Sequence, residues 1–406
     1  MERHPGRARR EGSAGRRLRP RHPSRATARR WAPGTHPGPP SRGSRLTVSP
    51  RSAILAARAG SGRRADLARR PVAVAAVGLV LLAVALVAGI AAGTVAIPPG
   101  DTIGILGRRL LGLDIAPTWA AAAETIVIDL RLPRVLTAMV VGGGLAVAGA
   151  AFQGLLRNPL ADPYVLGTAS GAALGAALAV LIPVRVLVLE FGLLHGLAFV
   201  GALGAVLAVY RLSRVGANSP MTSLLLTGYA VSSLLAAGLA MAMYLSGAGL
   251  RQIFAYLLGG FDASSWGRLA VAALLIVLAS LGILLRARSL NGMLLGEEAA
   301  THLGVDVRRE RAILLALASL ATAAAVAVSG LIGFVGLVAP HVIRLIVGPN
   351  ARLVLPLAAL LGASLMVGAD LAARLLGEIP VGVVTAMIGA PFFLALLRRT
   401  RTGYEL

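Results

Sequence analysis

RARSLNGMLLGEEAATHLGVDVRRER, residues 286–311, is a strongly polar break between two long hydrophobic runs, and it carries five arginines and four acids. Its apolar residues recur at helical spacing, which predicts one shared apolar face on two short helices hinged at Gly296 or Gly304. A segment of this kind is either a solvated loop or a docking surface for a soluble partner. The apolar positions are Met293, Leu294, Leu295, Ala299, Ala300, Leu303 and Val305.

The rest of the chain is dominated by hydrophobic runs. Of its 406 residues, 56% are hydrophobic and 14% are charged, whereas about a quarter of a soluble domain is charged. Several runs reach the ~20 residues that cross a bilayer. We therefore expect an all-α, multi-pass protein of the cell (cytoplasmic) membrane with about ten transmembrane helices. The predicted spans are 71–93, 135–154, 165–183, 186–210, 221–245, 267–285, 312–335, 337–347, 353–376 and 381–397.

Residues 1–70 form a separate region with 19 arginines against three acids. This extension is rich in Pro, Gly and Ser and lacks hydrophobic periodicity, which is typical of disorder. It could bind nucleic acid or anionic lipid, or be dispensable. We expect the last and no nucleic-acid partner, because no aromatic or glycine pattern accompanies the arginines.

The arginines also predict the orientation. With the spans above, 32 arginines fall on the cytoplasmic side and eight outside. Basic residues concentrate on the cytoplasmic side of a membrane protein, so both termini should lie inside. Residues 401–406 are then a short cytoplasmic tail, and residues 286–311 face the cytoplasm.

QGLLRNPLADPYVLGTASGAALG, residues 153–175, must interrupt two spans, because Pro159 and Pro163 cannot continue a helix. After the break, Gly171 and Gly175 form a small-xxx-small face suited to close helix packing. The alternative is a tight loop with no partner. The side chains that can satisfy the freed backbone groups are Arg157, Asn158 and Asp162.

A second break, GLIGFVGLVAPHVIR (330–344), ends with Pro340, His341 and Arg344. A lone histidine could relay protons or bind a metal, but no other histidine lies at ligand-like spacing. We therefore expect His341 to be a hydrogen-bonded structural residue and predict no metal site.

Acids within the spans are few, and Asp370 can pair with Arg374 one turn further along a helix. An ion-coupled carrier usually places acids near the bilayer midplane. Their scarcity argues against that alternative class of transporter. A membrane-embedded enzyme would need a catalytic set such as HExxH, and the sequence contains none.

Five motifs in order resemble the FecCD and BtuC-like permease family of type II ATP-binding-cassette (ABC) importers, which take up ferric siderophores, haem or cobalamin. They are RLPR (131–134), GGGLAVAGAAFQGLLRNPLADPYVLGTASGA (142–172), LGEEAATHLGVDVRRER (295–311), GLIGFVGLVAPHVIRLIVGPNARLVLP (330–356) and IPVGVVTAMIGAPFFLALL (379–397). The resemblance covers residues 71–400. Its characteristic positions are Arg131, Pro133, Arg134, Gln153, Gly154, Arg157, Asn158, Pro159, Asp162, Pro163, Pro340, His341, Arg344, Pro380, Gly382, Gly389 and Pro391.

The resemblance implies ten helices per subunit and a homo- or heterodimer of permeases. It also implies two cytoplasmic ATPase subunits, an extracytoplasmic substrate-binding protein, and alternating access along a path lined by the fifth and tenth helices. A coupling region at about 289–308 would sit in a cleft of the ATPase. The chain has no GxxxxGK[ST] loop, so ATP and Mg should bind the partner, with no cofactor or catalytic residue here. The implied coupling residues are Leu295, Gly296, Glu297, Glu298, Ala299, Leu303 and Gly304.

Overall fold

A computed structural model describes residues 50–93, 95–182, 184, 187–188, 190–213 and 221–401. Within these ranges the chain is almost entirely helical. The helices are α1 (Pro50–Ala91), α2 (Pro99–Leu111), α3 (Ala121–Thr125), α4 (Leu132–Leu155), α5 (Thr168–Leu181), α6 (Leu193–Leu212), α7 (Met221–Leu245), α8 (Leu250–Leu258), α9 (Trp266–Leu285), α10 (Ala287–Leu294), α11 (Glu297–His302), α12 (Val307–Ser329), α13 (Val335–Val347), α14 (Ala351–Leu375) and α15 (Val381–Arg401).

Three short elements join these helices. A π-helical turn, Ile126–Arg131, connects α3 to α4, and a 3₁₀ turn, Gly247–Gly249, precedes α8. Between α5 and α6, strand β1 (Leu187–Val188) pairs antiparallel with strand β2 (Phe191–Gly192), with Leu187 opposite Gly192 and Val188 opposite Phe191. Because the π-helical turn directly joins α3 to α4, these three elements form one continuous helical run.

The prediction of an all-α membrane protein with about ten spanning helices is confirmed. In the described residues, seven helical runs are long and apolar enough to cross a membrane. Three shorter apolar helices bring the number to ten. The long runs are Arg70–Ala91, Ala121–Leu155, Leu193–Leu212, Ser223–Leu245, Trp266–Leu285, Val307–Ser329 and Ala351–Leu375, and the shorter ones are Thr168–Leu181, Val335–Val347 and Val381–Leu396.

The amino-terminal extension differs from its prediction. Helix α1 begins at Pro50, so residues 50–70 are helical rather than disordered. Ala and Arg make up most of this segment, and both are strong helix formers, which the disorder-based interpretation did not weigh. The remainder of the predicted disordered extension, residues 1–49, lies outside the described residues, as do residues 402–406 of the predicted tail.

The run that contains α4, Ala121–Leu155, is the most buried of the seven long runs. Its small residues allow the backbones of neighbouring helices to approach closely. A Cβ atom added at Gly142 would overlap the carbonyl oxygen of Gly362 in α14, and one at Gly149 would overlap that of Gly336 in α13. In lipid, helices associate through such close packing because burial of apolar surface alone gives no advantage.

Helices α5 and α6 pack in the same way, as predicted from the small-xxx-small face. A Cβ at Gly171 would overlap the carbonyl oxygen of Gly201, and a Cβ at Gly175 would overlap that of Leu197. The role predicted for Gly171 and Gly175 is therefore confirmed.

We call the end of the bundle beside α10 the coupling end, after the role expected for that region. At the coupling end, α4 and α13 finish and α14 starts, and α10 lies beside them, with its Met293 carbonyl accepting a hydrogen bond from Arg157. At the opposite end, the last turn of α1 meets the first turn of α4 and the last turn of α14. One buried apolar cluster, with Phe152, Leu290 and Leu355, occupies the coupling end. A second, with Ile90 and Leu132, occupies the opposite end.

Candidate coupling site

Helices α10 and α11 form the short helical pair predicted within residues 286–311. Gly296 separates them with a φ of 123°, and Gly304 turns the chain toward α12 with a φ of 80°. Both values lie in the region that favours glycine, because a Cβ would be strained there. The predicted hinge is thus present at both glycines.

The apolar residues of this pair do not share one face, contrary to the prediction. Met293 and Ala300 are buried in the core cluster of the coupling end, whereas Leu295 is 71% exposed and Leu303 is 65% exposed. Met293 and Leu295 are two positions apart and so lie on opposite sides of α10, and the turn at Gly296 starts a new helix before Leu303. The remaining predicted positions, Leu294, Ala299 and Val305, are half-buried.

The acidic residues of this segment differ in whether they have an ion-pair partner within the chain. Glu297 forms an ion pair with Arg311 of its own chain, and Arg286 forms another with Glu310. Glu298 is exposed and has no ion-pair partner among the described residues. Of the two adjacent glutamates, only Glu298 is therefore free for a basic group on another protein.

Two contacts tie α10 to the end of α4. The Nε atom of Arg157 donates a 2.9 Å hydrogen bond to the carbonyl oxygen of Met293. Gly154 leaves room for Leu290, since a Cβ there would lie 2.7 Å from Leu290 Cδ1. Arg157 has a φ of 47°, which is uncommon for a side-chain-bearing residue. The break after α4 is thus hydrogen-bonded to the last turn of α10, directly before the turn at Gly296.

A third contact, between α10 and the start of α14, was missed from the sequence. Asn291 Nδ2 donates to Asn350 Oδ1 at 2.8 Å, and Asn291 Oδ1 accepts from the Ala351 N–H at 2.7 Å. Asn350 also caps α14 by accepting from the Arg352 N–H. An asparagine directly before a helix is a recognisable capping signal, but Asn291 carries no local signal at all.

Helix α13 is bonded to α4 through Gln153. The Gln153 Nε2 atom donates to the Leu337 carbonyl at 3.2 Å, and its Oε1 atom accepts from Arg344. Arg344 also donates to the Ala150 carbonyl at 3.1 Å. Pro340 is buried inside α13. Two of the predicted motif residues, Gln153 and Arg344, therefore lie in one helix–helix contact.

His341 is not hydrogen-bonded, so that part of its prediction is wrong. Neither ring nitrogen has a hydrogen-bond partner among the described residues, although both are buried. The ring instead makes an edge contact with Phe392 of α15, with centroids 6.3 Å apart. In the described part of the chain, no three His, Asp or Glu residues are grouped as metal ligands.

The break between α4 and α5 stabilises itself with local side chains. Asn158 Oδ1 accepts from the Leu160 N–H at 2.9 Å, and Asp162 Oδ1 accepts from the Tyr164 N–H at 2.8 Å. Pro159 is exposed at the turn. The predicted satisfaction of freed backbone groups by Asn158 and Asp162 is confirmed.

The same break packs on the one that follows α12. Pro163 is buried against Gly336, where a Cβ would lie 2.6 Å from the proline Cγ. The hydroxyl of Tyr164 donates to the Ile332 carbonyl at 2.8 Å. Residues 330–334 thus pack against the segment that follows α4.

Helix α15 begins beside this second break. Gly382 lies against the backbone of Leu258, and Gly389 lies against the side chain of Phe334, so a Cβ at either glycine would overlap these atoms. The Pro380 carbonyl accepts from the Val383 N–H. Pro391 lies inside α15 and is exposed.

Arginines organise the opposite end of the bundle. Arg131 donates to the carbonyls of Ile90 and Ala91, and Arg374 donates to those of Gly89 and Ala92. The carbonyls of Gly89, Ile90 and Ala91 belong to the last turn of α1 and have no intrahelical donor, and Ala92 directly follows the helix. Two distant arginines therefore cap α1, a role that its sequence does not indicate. Pro133 lies in the first turn of α4, where a proline is tolerated.

A buried carboxylate joins this arginine group. Asp370 is fully buried and forms ion pairs with Arg134 at 2.8 Å and with Arg374 at 3.1 Å. Arg134 also pairs with the exposed Asp262 at 2.7 Å. The predicted Asp370–Arg374 pair is confirmed, and the structure adds Arg134 to it.

Known proteins share this architecture and these motifs. The sequence model of the FecCD transport family matches residues 81–399. The chain is 42% identical over 277 residues to the cobalamin import system permease protein BtuC of Halobacterium salinarum, covering 68% of this chain and 74% of that protein. It is 44% identical over 309 residues to the hemin transport system permease protein HmuU of Yersinia pestis, covering 74% of this chain and 92% of that protein.

A solved transporter structure shares this fold. An inward-facing conformation of a metal-chelate type ABC transporter superposes with a TM-score of 0.69 at 31% identity, covering 79% of this chain and 97% of that one. The region matched by the family model contains the α10–α11 pair and both helix breaks. The resemblance seen in the motifs is confirmed, and the chain is a membrane-embedded transport permease of an ABC importer rather than a catalytic enzyme. It belongs to the FecCD transport family.

Proposed function

We propose that this chain imports a metal chelate, with a ferric siderophore as the first candidate and haem or cobalamin as rivals. The relatives named for cobalamin and hemin and the metal-chelate type neighbour support this class. Their cargoes are organic ligands wrapped around a metal ion. A binding protein outside would deliver the chelate to a dimer of permease subunits, and both termini would lie in the cytoplasm.

The driving force would come from ATPase subunits that dock on α10 and α11. The observation that carries this proposal is the exposure of Leu295 and Leu303 at the turns of the pair, beside the unpaired Glu298. Burying a leucine side chain contributes about 1.5–3 kcal/mol. Two leucines and one carboxylate fit a cleft with an apolar floor and a basic rim.

The contacts of α10 suggest how movement would reach the transport path. A displacement of the pair would act on α4 through Arg157 and Leu290, and α4 is bonded to α13 through Gln153. Helix α13 in turn contacts α15 through His341 and Phe392. In this mechanism the path between two permease subunits, lined by α7 and α15, opens alternately to each side.

Ion-coupled transport, the alternative class, has less support. Such a carrier needs a carboxylate that binds and releases its ion. Asp370 is held between two arginines, so its charge is already balanced. Uptake should therefore require ATP and its ATPase rather than an ion gradient.

The docking proposal is tested by the double variant Leu295→Glu, Leu303→Glu. We expect it to bind the co-expressed ATPase at least about 100-fold more weakly, because two apolar contacts become buried charges. Leu110→Glu is the matched control, since Leu110 is 58% exposed on α2 at the opposite end. If the double variant retains the ATPase as well as the control does, the docking proposal is wrong.

The cargo is tested separately in vesicles that contain the permease, its ATPase and its binding protein. Uptake of an iron-loaded siderophore, haem and cobalamin is compared with and without ATP. Uptake of one chelate only with ATP supports the proposal. Equal uptake without ATP, driven by an ion gradient, would refute it.

A further inference from the structure

An apolar groove lies between α1, α9 and α14, with α4 as its floor. Its volume is about 380 Å³. All four helices are membrane spans, so the groove opens within the bilayer and not to water. Its shape is set by residues from each helix, among them Leu82, Gly143, Ile276, Ser280, Ala359 and Leu360.

Small residues create the empty space. Gly143 has no side chain, and a Cβ there would only touch the Ala359 carbonyl oxygen at 3.4 Å. Ala359 and Ala363 contribute only methyl groups from α14. Leu278 and Leu281 on the outer side of α9 are 57% and 50% exposed. The groove is thus continuous with the surface that the lipid tails cover.

Two polar side chains, those of Arg352 and Ser280, lie at or near the groove on the side of the coupling end. Arg352 lies one helical turn before the lining residue Pro356, is exposed, and has no ion-pair partner among the described residues. The buried hydroxyl oxygen of Ser280, which lines the groove, has no hydrogen-bond partner in the same part of the chain. Ser280 precedes Arg286 at the end of α9 by about 9 Å at 1.5 Å per residue.

We propose that the groove binds one anionic phospholipid from the leaflet next to α10 and α11. One acyl chain fills the groove, the Ser280 hydroxyl donates to an ester carbonyl, and Arg352 faces the phosphate. A cation at this level attracts anionic headgroups. Phospholipids present phosphate, ester and tail in this order, which matches the order of Arg352, Ser280 and the apolar walls.

Native mass spectrometry of the purified full chain tests this proposal with phosphatidylglycerol and phosphatidylcholine as probes. Wild type should retain one phosphatidylglycerol in preference to phosphatidylcholine. Ala359→Phe, which fills the groove, should abolish retention, whereas Leu278→Phe on the lipid-facing surface outside it should not. Arg352→Gln should lower the preference for phosphatidylglycerol about fivefold, whereas Arg288→Gln, an exposed arginine on α10, should leave it unchanged.

A second measurement keeps the proposal testable if Ala359→Phe does not fold. Phosphatidylglycerol with a photoactivatable group in its acyl chain is cross-linked to wild type in vesicles. We expect labelling of peptides from α4, α9 and α14 to exceed that of α6, a span outside the groove whose Val200 and Leu207 are exposed. Uniform labelling of exposed helices would refute a specific site. Equal retention of both lipids in mass spectrometry would refute the anionic headgroup.

Discussion

Arg157 and Met293 lie 136 positions apart in the sequence, yet the Arg157 Nε atom donates a 2.9 Å hydrogen bond to the Met293 carbonyl oxygen. The bond connects the break after α4 to the last turn of α10, directly before the Gly296 turn. Hydrogen bonds from a charged donor contribute about 1.5–3 kcal/mol. Arg157 is therefore a positioning residue for the α10–α11 pair.

Replacing Arg157 with Ala should loosen α10 without unfolding the bundle. We expect faster amide hydrogen exchange over residues 290–296 and several-fold lower transport-linked ATPase activity, because movement of the pair would no longer pull on α4. Binding of the ATPase itself should persist, since Leu295 and Leu303 are untouched.

Arg288→Ala is the control for this prediction, because Arg288 is exposed on the same helix. Equal hydrogen exchange in both variants would show that the Arg157 bond does not position α10.

Replacing Asp370 with Asn should destabilise the protein strongly. The change leaves Arg134 and Arg374 without their shared counter-charge in a buried site, which costs about 3–5 kcal/mol. The measurement is the free energy of unfolding in mixed micelles. Glu124→Gln, which breaks the more exposed Arg109–Glu124 pair, should cost much less, because solvent-exposed ion pairs contribute little to stability. A similar small loss for both variants would contradict the assigned role of Asp370.

Gly149→Ala should impair packing between α4 and α13, because its Cβ would overlap the Gly336 carbonyl oxygen. Overpacking of this kind costs about 1–3 kcal/mol or more. At Gly196 on α6 no atom lies within 4 Å of an added Cβ, so Gly196→Ala should be neutral or slightly stabilising. Thermal unfolding of the two variants in detergent measures the difference, and equal midpoints would argue against a close α4–α13 contact.

Deleting residues 2–49 should leave transport unchanged, since composition predicts that the arginine-rich extension is dispensable. Uptake is measured at matched membrane levels of both proteins. A loss of uptake at normal levels would assign a function to this extension.

The local features of the coupling pair and the helix breaks were predictable from the sequence. Pro159 and Pro163 stop a helix wherever they occur, and Gly296 and Gly304 mark turns for the same conformational reason. The division of the apolar residues needed the structure, because the sequence does not say which side of α10 meets the bundle. Met293 and Leu295 are two positions apart and so lie on opposite sides of a helix, and the first is buried whereas the second is exposed.

The sequence by itself determined the membrane spans, their interruptions and the family motifs, because hydrophobic length and helix-breaking residues act within a few neighbouring positions. Only the tertiary structure decided which distant groups meet. Asp370 forms an ion pair with Arg134, 236 positions away in the sequence, and Asn291 is hydrogen-bonded to Asn350, 59 positions away. Such pairs depend on how closely helices approach one another, and that distance is set by glycines such as Gly142 and Gly362 on separate helices.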